Sequence, residues 1–322
     1  MIRTRFVLLG ALAACSSATS TRELASSTPV QQTPQAPAWR YLEGGYVHTL
    51  NGKPTVLRVG VHEASAPLQG CALYFEGLGD SIANQTWLFE KLASHGYRTV
   101  AFDYAGQGGS EGNMNDVRVV GSRHSPDRQI GRMAEGAWKA GRTRFDGQPC
   151  GDMPDLLVGW STGGLEVYRW AVEGRAKKVL LFAPGLRVRF FVGEADQHPT
   201  RVVTLEPVMT PASLTRAAEN GTFTHVEPAR PNHPLKAPFF ANDLIVSSFK
   251  SASVSVSPAV KGLVFLAGDD TYVPSDKVEK ILAKRAPHFE IVNFPGARHE
   301  IMNETDDVRE TVAKRLEAFL AP

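Results

Sequence analysis

The sequence carries no transition-metal ligand spacing, no phosphate-binding loop and no dinucleotide fingerprint. The usual sequence grounds for metal, nucleotide or nicotinamide chemistry are therefore missing, and no cofactor is expected. Charge of one sign is not in excess. There are 35 basic and 33 acidic residues, and Arg3 and Arg5 lie in a segment expected to be removed, which leaves 33 against 33. A broad nucleic-acid footprint is thus not expected. Cysteine is scarce, with three in 322 residues, and no internal repeat is evident. The apolar stretch Phe6 to Ala14 falls short of the ~20 residues a spanning helix needs. What remains is a globular composition, with length enough for one large domain or two small ones around a substantial core.

The N-terminus reads as a targeting segment over residues 1–14. Arg3 and Arg5 form a basic region ahead of the apolar stretch. Leu12-Ala13-Ala14-Cys15 resembles a bacterial lipobox, which implies lipidation of Cys15 as the first mature residue. Cleavage after Ala11-Leu12-Ala13 is the competing reading. Ser16 follows the cysteine, and by resemblance to Gram-negative lipoproteins a residue other than Asp there implies the outer membrane, facing the periplasm. Residues 15–37, rich in Ser, Thr, Gln, Ala and Pro, have no apolar period and read as a flexible tether. A lipid anchor on such a tether holds a folded domain beside a membrane without inserting it. Setting Cys15 aside leaves Cys71 and Cys150. A pair in an exported chain suggests a disulfide, and two buried free thiols are the alternative.

From residue 38 onward, short apolar runs alternate with helix-period segments. Tyr46 to Leu50, Asn51-Gly52 and Thr55 to Val61 read as a hairpin. Strands are expected at Ala72–Phe75, Thr99–Phe102, Leu156–Val158, Val179–Phe182, Leu263–Leu266 and Glu290–Val292. Helices are expected at Trp87–Leu92, Ser125–Phe145, after Gly163, at Asp276–Leu282 with Ser275 as cap, and at Val308–Leu320. This alternation implies right-handed βαβ units and a mainly parallel sheet. Residues 186–259 break the rhythm. A structureless loop of that length is improbable in a compact domain, so they read as a lid inserted between two core strands.

The chemistry centres on Gly159-Trp160-Ser161-Thr162-Gly163, between the apolar run Leu156 to Val158 and a helical run. A serine on a sharp strand-to-helix turn has a strained backbone, and flanking glycines keep side chains from colliding with the facing strand and helix. Three further motifs follow the same pattern of strand then loop. They are Gly77-Leu78-Gly79-Asp80, Asp103-x-x-Gly106-x-Gly108-x-Ser110, and Gly296-Ala297-Arg298-His299-Glu300-Ile301. Serine is a poor nucleophile until a base accepts its proton, and His299, after Pro295-Gly296, is the candidate base.

In their order and spacing these four motifs resemble the α/β-hydrolases, and more narrowly the monoacylglycerol lipase and lysophospholipase branch, sometimes grouped with serine aminopeptidases. The resemblance covers Tyr46 to the C-terminus. It implies an α/β-hydrolase fold with a mainly parallel central sheet, helices on both faces and an inserted lid. It also implies a triad in the order Ser161, Asp270, His299, the acid standing three residues before a Val-Pro pair. Asp269 stays an alternative because the spacing from Gly268 is one residue short. The oxyanion donors implied are the backbone N–H groups of Leu78 and Thr162. Two positions depart from relatives, which commonly have His at both. Glu76 precedes the Gly77 turn, where it reads as a structural anchor paired with a hydroxyl or Arg. Trp160 precedes the nucleophile, where packing under the turn competes with substrate contact. In a hydrolase sheet the strands after Cys71 and Cys150 are parallel neighbours, which implies a Cys71–Cys150 bond. The Asp103 to Ser110 loop is expected to be structural.

In the lid, Phe190-Phe191-Val192, Phe239-Phe240 and Leu244-Ile245-Val246 either pack on the core or line an acyl pocket, and Arg187 and Arg189 are candidates to meet an anionic head group. The function implied is hydrolysis of a small-molecule ester or lipid, a lysophospholipid or monoacylglycerol, through an acyl-enzyme on Ser161. A peptidase or amidase and a non-catalytic binding lipoprotein are the rivals.

Overall fold

A computed structural model describes residues 39–50, 52–113, 126–188, 210–227 and 238–321. The leader, the tether, Cys15, Asn51, Ser125, Arg189 and Phe190 to Val192 lie outside the described residues, and the side chains of Phe239 and Phe240 lie outside the described side chains. Ten strands are present among the described residues: β1 (Trp39–Tyr41), β2 (Tyr46–Leu50), β3 (Lys53–Leu57), β4 (Val59–His62), β5 (Gly70–Phe75), β6 (Tyr97–Phe102), β7 (Leu156–Trp160), β8 (Lys178–Phe182), β9 (Lys261–Ala267) and β10 (Glu290–Phe294). Eight of them form one sheet in the order β1-β4-β6-β5-β7-β8-β9-β10. All pairs from β6 to β10 are parallel, and β1 and β4 are antiparallel to their neighbours.

The alternation of strand side chains divides the core into two layers. Leu73, Phe75, Leu157 and Val179 face one side, where they pack with α2 (Pro126–Gly141), α3 (Thr162–Val172), α6 (Pro238–Ser251) and α7 (Ser275–Arg285). Ala72, Tyr74, Leu156, Val158 and Leu180 face the other, against α1 (Thr86–Ser94) and α8 (Asp306–Leu320). Helices therefore cover both faces, as the resemblance implies. None of the helices among the described residues is long and apolar enough to cross a membrane.

The expected second hairpin strand, Thr55 to Val61, is interrupted. β2 pairs with β3, but the chain leaves that ladder at Arg58 and β4 joins the main sheet beside β6. The break has a local cause. The Arg58 N–H donates to Ser110 Oγ at 2.8 Å and its carbonyl accepts from Asp103 N–H at 3.0 Å, so both backbone groups are engaged by the loop after β6. The helix expected to reach Phe145 ends at Gly141. A Cβ there would stand 2.7 Å from Val100, so the glycine lets the helix end lie close on β6. Ser275 is the first residue of α7 and not its cap, because its hydroxyl donates to the Ala267 carbonyl at 2.6 Å.

β5 and β7 are adjacent, with Ala72 opposite Leu156. Cys71 and Cys150 are disulfide-bonded with a Cα separation of 6.0 Å, at the N-terminal ends of the strands and so across the sheet from Ser161. Between β8 and β9 lie the short helices α4 (Pro211–Leu214) and α5 (Arg216–Glu219), then α6. Leu186 and Leu244 are buried in the core and Ile245 is 5% exposed, whereas Val246 is 43% exposed. Leu244 thus packs this segment onto the core.

Candidate active site

Ser161 occupies the turn from β7 into α3 at φ 54°, ψ −114°, a left-handed backbone that a non-glycine residue rarely adopts. Steric requirements fix its glycine neighbours. A Cβ on Gly159 would stand 2.4 Å from the Gly163 carbonyl oxygen, and one on Gly163 would stand 2.1 Å from that of Phe75. The Ser161 carbonyl accepts from Gly185 N–H at 2.8 Å and from Leu165 N–H at 3.1 Å. The first bond ties the strained turn to the loop after β8, where Ala183 is also left-handed at φ 40°, and the second ties it to the first turn of α3.

His299, 3% exposed, reaches the turn from the loop after β10. Its Nε2 lies 2.8 Å from Ser161 Oγ and its Nδ1 lies 2.7 Å from Asp270 Oδ2. Asp270 is 4% exposed. Its other oxygen, Oδ1, accepts from the N–H groups of Tyr272 at 2.8 Å and Val273 at 2.9 Å. The carboxylate is thus fixed from behind and presents one oxygen to the imidazole. With a carboxylate on Nδ1, the neutral ring carries its proton there, and Nε2 is left to accept from the serine. Asp269 is excluded by position. Its side chain is 51% exposed and is paired with Arg216.

The Leu78 and Thr162 N–H groups have no hydrogen-bond partner among the described residues. Thr162 opens α3, so its amide adds the positive end of the helix dipole beside Ser161. Gly79 is left-handed at φ 79°, and this shapes the Gly77-Leu78-Gly79 turn opposite. Trp160, 2% exposed, lies beneath both elements. A Cβ on Gly77 would stand 2.6 Å from its ring, and its Nε1–H donates to the His299 carbonyl at 2.9 Å. The packing reading is the one this geometry favours, with an added hydrogen bond that holds the histidine loop.

Glu76 is fully buried, and its partners differ from those expected. Oε1 accepts from Tyr104 N–H at 2.6 Å and from Gln107 Nε2 at 2.8 Å, while Oε2 has no partner among the described residues. Burial, then the nearby carboxylates of Asp103 and Asp80, push its pKa well above the carboxylate range, toward the neutral acid. The Asp103 loop is structural, as expected. Asp103 accepts from Ile82 N–H at 2.9 Å and Gly109 N–H at 2.7 Å, and its carboxylate pairs with Arg58.

A second polar network clasps the segment 210–227 to the histidine loop. Glu300 N–H donates to Leu214 O, and Tyr272 packs its ring 5.0 Å from the His299 ring with its hydroxyl 2.6 Å from Ser213 Oγ. His225 Nε2 lies 2.8 Å from Glu300 Oε2, and Glu300 Oε1 accepts from Gln85 and Asn303. The Glu227 carboxylate accepts two N–H bonds of 2.7 Å from Arg58. Burial and the charge of Glu300 push Asp80 up to about 7. Burial alone would lower His225, but its hydrogen bond to Glu300 and the charges of Glu300 and Asp80 raise it. Glu300 and Asp80 fall within sequence motifs but their partners do not, and the contacts of Ser213 with Tyr272, His225 with Glu300 and Arg58 with Glu227 span 59, 75 and 169 positions, so the sequence offered no signal for the network. Arg187, proposed for an anionic head group, lays its guanidinium 4.0 Å from the Phe249 ring centroid.

The fold and the Ser161–His299–Asp270 arrangement define a serine hydrolase of the α/β-hydrolase class. More particularly, residues 66–306 match the family described as serine aminopeptidase, S33, and the chain belongs to that family. A phospholipase of Bacillus subtilis, YtpA, is 28% identical over 243 residues, covering 72% of this chain and 88% of that protein. Monoglyceride lipase of Saccharomyces cerevisiae is similar in structure, with a TM-score of 0.64 at 17% identity over 91% of this chain and 99% of that one. Monoacylglycerol lipase of Paleococcus ferrophilus matches with a TM-score of 0.58 at 18% identity, over 82% and 98% of the two chains.

Proposed function

We propose that this protein hydrolyses carboxylic esters of lipid type, a lysophospholipid or a monoacylglycerol, through an acyl-enzyme on Ser161. The observation that supports this most is the unbroken chain from Asp270 through His299 to Ser161 Oγ, with bonds of 2.7 and 2.8 Å. His299 takes the serine proton as Oγ attacks the acyl carbon, and Asp270 stabilises the imidazolium that forms. The Leu78 and Thr162 N–H groups receive the negative charge that develops on the carbonyl oxygen. His299 then returns the proton to the departing alcohol, and water, activated by the same base, releases the acid. The phospholipase and monoglyceride lipase relatives favour a lipid ester as substrate.

The family description favours a second reading, cleavage of an aminoacyl amide. A panel of acyl esters graded by chain length and head group, run beside aminoacyl amides, separates the two. Ester turnover that is abolished in Ser161→Ala is the expected result. Turnover of amides alone would establish the peptidase reading, and turnover in Ser161→Ala equal to wild type would remove the nucleophile. We propose further that Cys15 is lipidated and holds the domain on a bacterial outer membrane, facing the periplasm. The lipobox-like Leu12 to Cys15 supports this. Labelled palmitate should enter the wild-type protein but not Cys15→Ser, which should leave the membrane fraction.

A further inference from the structure

Gln107 sits in the loop after β6, 2% exposed, and its side-chain amide is spent almost wholly on the oxyanion turn. Its Nε2 donates to the Gly77 carbonyl at 3.1 Å and to Glu76 Oε1 at 2.8 Å. Its Oε1 accepts from Gly79 N–H at 3.0 Å. The amide orientation is unambiguous, because a carbonyl can only accept and a backbone N–H can only donate. One side chain therefore grips two consecutive peptide groups, Gly77–Leu78 and Leu78–Gly79, on either side of Leu78.

Peptide planarity gives that grip a consequence. The Gly77 carbonyl and the Leu78 N–H belong to one trans peptide and point in opposite directions. Fixing the carbonyl toward Gln107 turns the Leu78 N–H away from it. That N–H has no partner among the described residues. Gln107 is in turn held by Glu76, whose Oε1 is itself anchored on Tyr104 N–H. Tyr104 closes the set by donating its hydroxyl to the Glu76 carbonyl at 2.8 Å.

We propose that Gln107, anchored by Glu76, is a positioning residue for the oxyanion hole: it sets the direction of the Leu78 N–H before substrate arrives. The role presupposes the serine-hydrolase reading above. A donor aimed in advance acts on the charge of the transition state more than on the neutral ester, so its loss falls on kcat and leaves KM little changed.

The test uses the full chain, a short-chain p-nitrophenyl ester, and titration of active sites with a fluorophosphonate. Gln107→Met retains side-chain length and removes all three bonds. Its kcat per titrated site should fall ~10- to 100-fold with KM within about threefold. A trifluoromethyl ketone, which forms a tetrahedral oxyanion adduct on serine, should bind more weakly by a matching factor. A kcat per titrated site within twofold of wild type, or a rise in KM at constant kcat, would overturn the proposal. Where the Met variant does not fold, Gln107→Glu decides. Its neutral acid can donate to Gly77 and accept from Gly79, but its carboxylate cannot donate. Its kcat relative to wild type should therefore recover as pH falls, and a ratio independent of pH would overturn the role. Absence of Ser161-dependent turnover in the wild-type enzyme would instead remove the hydrolase reading, and this role with it.

Discussion

Asp270→Asn offers the sharpest test of the triad, because the structure dictates which way the new amide must face. Oδ1 of Asp270 accepts two backbone N–H bonds, from Tyr272 and Val273. An asparagine turned to place its NH2 there would leave both buried N–H groups unpaired, each costing about 1–3 kcal/mol. The amide oxygen therefore keeps that position, and the NH2 takes the place of Oδ2, 2.7 Å from His299 Nδ1. A donor at that point makes Nδ1 an acceptor and moves the ring proton to Nε2, facing Ser161. The base can then no longer take the serine proton. A tautomer error of this kind costs about 10⁴ in kcat, or roughly 5.5 kcal/mol of barrier. Thermal unfolding should shift by only a few degrees, since both backbone bonds persist and the third is reversed and not lost. Asp269→Asn is the matched control. It removes an exposed pair with Arg216, a bond worth about 0–1 kcal/mol, and kcat should stay within twofold. Initial rates on an ester with circular dichroism melts of both variants provide the assay. A loss below tenfold in Asp270→Asn, or a larger loss in Asp269→Asn, would refute the assignment of the acid.

Three further outcomes follow from particular contacts. Trp160→Phe retains the ring under Gly77 but deletes the donor to the His299 carbonyl, so stability should drop by about 1–3 kcal/mol and kcat should fall with it; unchanged melting and kcat would show that this bond holds nothing. The Cys71–Cys150 bond closes a separation of 79 residues, for which chain entropy sets about 4.5 kcal/mol as an upper figure. The Cys71→Ala, Cys150→Ala double variant should therefore melt several degrees lower but turn over substrate at the wild-type rate per folded molecule, because the bond and Ser161 lie at opposite ends of the sheet. A matching loss of kcat would contradict that separation. The His225 clasp should make stability depend on pH. His225 is raised on folding, so its contribution is whole below its ordinary value of 6.5 and is lost as pH rises through the folded value. Asp80, pushed up to about 7, acts in the same sense, because the folded protein retains a proton that the unfolded chain sheds above about pH 4. Melting temperature should therefore fall from pH 5.5 to 8, and His225→Gln, which can donate but cannot titrate, should flatten that slope; an identical slope in the variant would exclude His225 as its source.

What could be read from the sequence was what local sterics and periodicity impose. Gly159 and Gly163 are recognisable because the strained serine between them admits no Cβ on either side, and the strand positions follow from short continuous apolar runs buried on both faces of the sheet. The Cys71–Cys150 pair was within reach once strand order was implied, since adjacency in a sheet converts a distant pair into a near one. What escaped is polar and long-range. Arg58 and Glu227 are 169 positions apart, and the pull of Ser110 and Asp103 on the Arg58 backbone is what divides an otherwise continuous strand pattern. Glu76 illustrates the limit best. A buried carboxylate invites a cation or hydroxyl as partner, and sequence reasoning looks for one. The structure instead leaves it beside two other carboxyl groups, with one oxygen unpaired among the described residues and the other accepting from a peptide and an amide. Burial and those carboxyl groups raise its pKa, which favours the neutral acid over the carboxylate. The neutral form needs no counterion, so a search of the sequence for a charged partner gives no signal. Its amide partner, Gln107, also faces the Gly77-Leu78-Gly79 turn, where it donates to the Gly77 carbonyl and accepts from the Gly79 N–H.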